Sequence, residues 1–457
     1  MERLSWHDPV PRKTERGCEL RKSTRQLLSI CLGTAAFVAA APASAQVPAP
    51  ILQSSPTLEV SPAVAAVYDT YRVKPIWFGA GADSAAATQL IEILRRAAFD
   101  GFADGPQLAA AVEAAQAQVR ADPAAAAKAD QVLSSAWVRY VKALRQPTPG
   151  MIYAAENLKP KKARTDEILL TTAAASSLAD YLKNVSNLNP LYEQLRDAAW
   201  ADAKASGNLT PDPRLLANLE RIKAVPARGR FVLVDSGSQL LTMYDNGHPV
   251  DSMKIIVGTN ELPTPLIASM MYYVTYNPYW HAPDHLVRKT IAPTVLRQGM
   301  SYLKRQGYHV VDQWTTSPTE VDATTVDWKG AAAGDVHLFV RQDPGPLNSM
   351  GRLKFPFSNP EGIYLHDTPS KDLFAKSRRN LSNGCVRLED ATRLGRWLLG
   401  QEPVAPGDEP ETQVRLPEGV PIILTYLTAQ VSDGRVAYLD DFYGWDSGAS
   451  GQVASTN

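Results

Sequence analysis

Two textures divide the chain. From about residue 58 to 224, apolar residues recur at spacings of three and four in an alanine-rich background, the period of an amphipathic helix. Val132, Ala136, Trp137, Tyr140, Val141 and Leu144 fall on one such face. Ser61-Pro62, Asp122-Pro123, Asn189-Pro190 and Asp212-Pro213 read as helix starts, because a first turn tolerates proline. From about residue 226 the period drops to two. RFVLVDSGSQLLTMYDNGHPVDSMKIIVG alternates apolar and polar positions, with Val232, Val234, Leu241, Met243, Ile255 and Val257 as β-type residues. Asp245-Asn246-Gly247 marks a turn between strands. Further strands are predicted over 270–277, 336–341, 362–366 and 421–427. Residues 284–330 break the pattern. Their first part, DHLVRKTIAPTVLRQGMSYLKRQG, is helical and basic and reads as an insertion between strands, a candidate lid. The pattern predicts an α+β multidomain chain: a helical domain over 58–224, then a strand-rich domain over 225–446. Residues 46–57 read as a linker and 447–457 as a disordered tail.

Composition changes this picture mainly at the N-terminus. In RKSTRQLLSICLGTAAFVAAAPASA (21–45), Arg21, Lys22 and Arg25 precede an apolar run of 15 residues that ends in small residues. This is the pattern of a secretory signal peptide cleaved after Ala45. The run falls short of the ~20 residues that span a bilayer, so no membrane span is expected in the mature form. The whole chain has 47 basic and 47 acidic residues. That balance argues against a nucleic-acid partner, which needs a concentrated basic surface. Cleavage removes seven basic and four acidic residues and leaves a net charge of −3. It also removes Cys18 and Cys31, so Cys385 becomes the single cysteine. Three cysteines exclude a disulfide-rich scaffold. A lone thiol in an oxidising compartment is either a buried small hydrophobe or a group kept for its chemistry.

The surroundings of Cys385 bear on that choice. Residues 362–390 read GIYLHDTPSKDLFAKSRRNLSNGCVRLED. Tyr364 and His366 are two apart on a predicted strand and share a face. Asn383-Gly384 is a tight-turn signal directly before Cys385, which places the thiol at a turn exit. The backbone N–H groups of Gly384 and Cys385 are candidate oxyanion donors. A thiol needs a base or a positive neighbour to act near neutral pH. His366 is the histidine of this segment, and Arg387 supplies a fixed charge that lowers a thiol pKa or holds a carboxylate. From spacing alone, a turn cysteine and a strand histidine satisfied by backbone remains an equal reading.

The words around these residues narrow the choice. H-D-T-P-S, fifteen residues and then S-N-G-C-V-R resembles the signature of the L,D-transpeptidase catalytic domain. VPARGRFVLVDSGSQLL, IIVGTNELPTP, YNPYWHAP, MGRLKFPFSNPEGIYLHDTPS and LDDFYGWD resemble the larger periplasmic branch of that family, over roughly residues 225–446. The helical region is similar to that branch's scaffold domain. The resemblance implies a β-sandwich-like catalytic domain with an inserted helical lid, located in the periplasm. It implies peptidoglycan stem peptides as donor and acceptor, and covalent carbapenem inhibitors. Cys385 is then the nucleophile, His366 the base, and the backbone carbonyl of Asp367 the group that orients the histidine. Arg387 orders the active-site loop or substrate, and Tyr364 lines the pocket. The common family word has histidine where this chain has Asn383, which hydrogen-bonds but cannot titrate. Gln342, Asn348 and Lys354 are substrate contacts or serve only the fold of their loop. No cofactor is implied, since cysteine and histidine suffice for acyl transfer. His281 and His285 stand four apart with Pro283 between them and no third ligand, so no metal is expected; both are candidates for the lid side of the cleft. Arg288, Lys289, Arg297, Lys304 and Arg305 make the insertion basic, either as a solvated face or as an attractor of stem-peptide carboxylates. A hydrolase of the same peptides and a catalytically idle wall scaffold are the other readings of the chain.

Overall fold

The predicted helix starts and strand alternation meet their test in a computed structural model, which describes residues 58–79, 84–315 and 317–446. The leader, the linker and the tail lie outside the described residues. Those residues belong to one contact unit, Ser54–Asn457.

Among the described residues, eight α-helices between Pro62 and Ile222 build the N-terminal region. The four Xaa-Pro pairs stand at helical starts: Pro62, Pro190 and Pro213 open α-helices, and Pro123 opens a 3₁₀ turn that leads into the helix Ala126–Leu144. Asn189 and Asp212 cap their helices with side-chain oxygens. The face predicted from Val132 to Leu144 is buried along its length, with Trp137 and Tyr140 fully enclosed. Between helices, Ile152–Tyr153 forms a short strand, β1, that pairs in parallel with a strand of the second region.

That region is a mixed sheet built from β2 (Phe231–Asp235), β3 (Leu240–Asp245), β4 (His248–Gly258) and β5 (Ile267–Tyr276), and from a later set described below. Asn246 and Gly247, at φ 50° and 82°, make the hairpin turn between β3 and β4. Residues 280–342 are the inserted unit. It contains the predicted helices and also a four-stranded sheet of its own: β6 (Trp280–His281), β7 (Tyr308–Val311), β8 (Glu320–Val321) and β9 (Phe339–Gln342). Val287, Ile291, Val295, Leu303, Val310 and Val340 form a separate core for it. The strand predicted over 336–341 therefore belongs to the insertion and not to the main sheet.

The main sheet resumes with β10 (Leu353–Phe355), β11 (Leu365–His366), β12 (Asn380–Ser382), β13 (Val386–Leu388) and β14 (Thr412–Thr425). A hairpin, β15 (Ala429–Ser432) and β16 (Arg435–Tyr438), follows. The order runs β5-β10-β11-β13-β4-β3-β2-β14, and β14 also pairs with β5, so the path closes on itself. Val232, Val234, Leu241, Met243, Ile255, Val257, Leu365 and Val386 point into the enclosed core. Phe231, Leu233 and Tyr244 lie in a second cluster with Tyr426, so β2 is buried on both faces and reads as a continuous apolar run.

Candidate active site

Strand pairing assembles the site. β10 pairs with β11 so that Lys354 lies opposite His366, and β11 pairs in parallel with β13 so that His366 lies opposite Arg387. Leu365 and Val386 turn into the core. Because side chains alternate along a strand, Tyr364, His366, Cys385 and Arg387 turn to the other face. Cys385 and His366 are thus diagonal neighbours on adjacent strands.

His366 is 5% exposed, and its Nδ1 lies 2.6 Å from the carbonyl oxygen of Asp367. An Nδ1–H donated to that carbonyl leaves the Nε2 lone pair free to take a proton. Burial lowers the imidazole pKa to about 4, with the Arg387 charge adding to the effect and the Asp367 carbonyl opposing it. The ring is therefore neutral at neutral pH. The carboxylate of Asp367 is engaged elsewhere. It accepts the Arg352 N–H at 3.0 Å and pairs with Lys371 at 2.8 Å. Lys371 also donates to the carbonyls of Leu388 and Glu389, which ties the loop after His366 to the end of β13.

The Cys385 thiol is half-buried and reaches the Gly362 carbonyl at 3.8 Å. Burial raises its pKa; the Tyr364 backbone N–H and the charges of Lys354 and Arg387 oppose that rise. No hydrogen bond joins Cys385 to His366 among the described residues, so the resting pair is a neutral thiol beside a neutral imidazole. The turn before Cys385 is braced from behind. Ser382 Oγ donates to the Cys385 carbonyl at 2.5 Å, and Thr264 Oγ1 donates to the Gly384 carbonyl at 2.8 Å. Tyr443 OH donates to the Gly258 carbonyl at 2.7 Å and accepts the Thr264 N–H at 3.3 Å. Gly384 sits at φ 107°, and a Cβ there would lie 3.0 Å from Ile363 Cδ1, so the turn requires glycine.

Three expectations change. Gly384 N–H points at Ser382 Oγ, 3.3 Å away, which leaves Cys385 N–H as the free candidate donor of the two. Gln342 and Asn348 are each 1% exposed and spend their amides on backbone. Gln342 bonds to Gln306, Leu347 and Ser349. Asn348 bonds to Pro278, Gln342, Asp343 and Met350. Both are staples of the loop rather than substrate contacts. Of that trio, Lys354 reaches the cleft, with Nζ 4.3 Å from the centre of the Tyr364 ring. Asn383 is exposed at the turn. Arg387 has no carboxylate and no hydrogen-bond acceptor among the described residues. His281, on the lid strand β6, packs edge-on against Trp314 at 4.6 Å. Its pKa is lowered to about 4 by desolvation, then by the charges of Lys354 and Arg341. Ser382, Thr264 and Tyr443 lie in words that carried only the resemblance, because their spacing in the chain says nothing of their meeting.

Residues 229–416 match the family model YkuD, described as an L,D-transpeptidase catalytic domain, and residues 62–198 match a model described as a scaffold domain. A Haemophilus influenzae protein named "Putative L,D-transpeptidase" is 25% identical over 398 residues, 85% of this chain and 79% of its own. Among solved structures, an L,D-transpeptidase from Mycobacterium smegmatis shares 12% identity at a TM-score of 0.22, over 44% of this chain and 59% of that one. The Ldtfm-avibactam carbamoyl enzyme shares 13% at 0.22, over 44% of this chain and 50% of its own. At those scores the two structures carry no weight beside the domain matches. No helix among the described residues is long and apolar enough to cross a membrane.

Proposed function

We propose, from the premise that the chain belongs to the L,D-transpeptidase family, that it is a cysteine-dependent acyltransferase of the periplasm that cross-links peptidoglycan stem peptides. Cys385 attacks the carbonyl between the L-centre of the diamino acid at position three and the terminal D-alanine. His366 Nε2 takes the thiol proton and returns it to the leaving amine. D-alanine departs and a thioester to Cys385 remains. An amine of a second stem peptide then attacks the thioester, and the thiol is regenerated with the cross-link. The oxyanion forms beside the Cys385 N–H.

One observation carries the reading: an imidazole fixed through Nδ1 to a carbonyl 2.6 Å away, kept neutral, on the same sheet face as the Cys385 thiol beside it. A neutral imidazole has the free lone pair needed to take the thiol proton as the sulfur attacks. Arg387 and Tyr364 line the cleft around the reacting bond. Carbapenems, as acylating inhibitors, should end on the same sulfur.

The test is the product mixture from full chain and intact stem peptides, read by mass spectrometry. Cross-linked dimers with free D-alanine support the proposal. Shortened monomers without dimers would make the protein a hydrolase of the same peptides. No turnover and no carbapenem adduct at Cys385 would leave it a wall scaffold without catalysis.

A further inference from the structure

Lys354 takes no part in that proton relay, yet it is built into the site. Strand register sets it directly beside His366 on one side, as it sets Arg387 on the other. Leu353 and Phe355 turn into the core, so Lys354 turns to the reacting face. Its ammonium rests against the Tyr364 ring, 4.3 Å from the centre, and Tyr364 is the strand neighbour of Cys385. Its charge acts on Cys385, on His366 and on His281 of the lid strand.

The nearby carboxylates are already engaged. Glu411, which acts on Tyr364, accepts the Tyr279 N–H at 2.8 Å. Asp367 holds Lys371 and the Arg352 N–H. Lys354 itself has no carboxylate and no hydrogen-bond acceptor among the described residues. Lys354 is half-buried, and its ammonium has a ring face but no counter-charge beside it. A cleft with two such cations flanking its base is complementary to anions on both flanks.

We propose that Lys354 is a specificity-determining residue that binds a free carboxylate of the donor peptide on the flank of His366 opposite Arg387. This rests on the acyl-transfer reading above. The carboxylate has two sources, the terminal carboxylate of the leaving residue and the side-chain carboxylate of the diamino acid. A lysine that only tuned the imidazole would leave binding unchanged and ignore either carboxylate.

Binding separates these cases, with acylation removed. Full-length Cys385→Ala protein is titrated with three stem peptides: one with both carboxylates free, one amidated at the C-terminus, and one amidated on the diamino acid side chain. Adding Lys354→Gln should weaken the free peptide about tenfold, the scale of one charge-assisted contact. One amidated peptide should bind both proteins alike, and which one names the carboxylate. Adding Lys354→Arg, which keeps the charge and the ring contact, should preserve the preference for the free form. Equal weakening of all three peptides by Lys354→Gln, no weakening, or loss of the preference in Lys354→Arg overturns the proposal while the function stands. If the Cys385→Ala protein binds none of the peptides, the proposal falls with the function.

Discussion

At the scale of single residues, the burial that suits His366 to its proposed role as base also bears on stability. Its folded pKa is lowered to about 4 from the ordinary 6.5. As pH falls below 6.5 the unfolded chain takes up a proton that the folded chain refuses, so stability is lost progressively until about 4, where the folded ring protonates too. The loss attributable to this residue is on the order of 3 kcal/mol. Denaturant melts of His366→Gln should therefore show a shallower loss of stability across that window than the parent. Equal slopes would contradict the burial argument. The neighbouring Asp367 separates carbonyl from carboxylate. Asp367→Asn keeps the carbonyl that holds Nδ1 and gives up only a partly exposed ion pair, so the rate of carbapenem acylation should stay within about threefold. His366→Ala should cost about a hundredfold or more by the same assay. A comparable loss in both would assign the orienting role to the carboxylate. Gly384→Ala should abolish acylation, because its Cβ meets Ile363 and its φ of 107° disfavours any side chain.

At the scale of elements, the helix Pro213–Ile222 locks onto the C-terminal segment. Arg221 binds Asp446 at 2.6 Å and the carbonyls of Tyr426 and Trp445, and Arg214 reaches Asp446 at 2.9 Å. Asn218 receives the N–H groups of Thr428 and Ala429. Removing one partner of a buried ion pair strands the other, so Asp446→Ala should cost about 3–5 kcal/mol in denaturant unfolding, and a negligible loss would refute the latch. None of this was legible in the chain. LDDFYGWD carried only a resemblance, and its work became visible once Tyr443 met Gly258 and Thr264, far away in sequence. Periodicity did reveal the long elements, because the helix Ala126–Leu144 and the strands from Phe231 to Gly258 each bury a regular face. It missed β1 and the insertion's β6, β7 and β8, which are too brief to show a period. It also could not tell a satisfied amide from a free one, which is why Gln342 and Asn348 read like Lys354.

At the scale of the whole molecule, the site is a product of register. Lys354, His366 and Cys385 come from β10, β11 and the turn into β13, which are neighbours in the closed sheet. The helical region enters this architecture through β1, which pairs with β5, and through the Arg221–Asp446 latch, which reaches the segment that braces the Gly384 turn. The proposed chemistry rests on one covalent bond. Full-length protein mixed with a donor stem peptide, quenched in acid and measured by intact mass and peptide mapping, should carry the peptide less D-alanine as a thioester on Cys385. The Cys385→Ala protein should carry nothing. An unmodified Cys385 in protein that still releases D-alanine, or product formation by Cys385→Ala, would contradict the central claim.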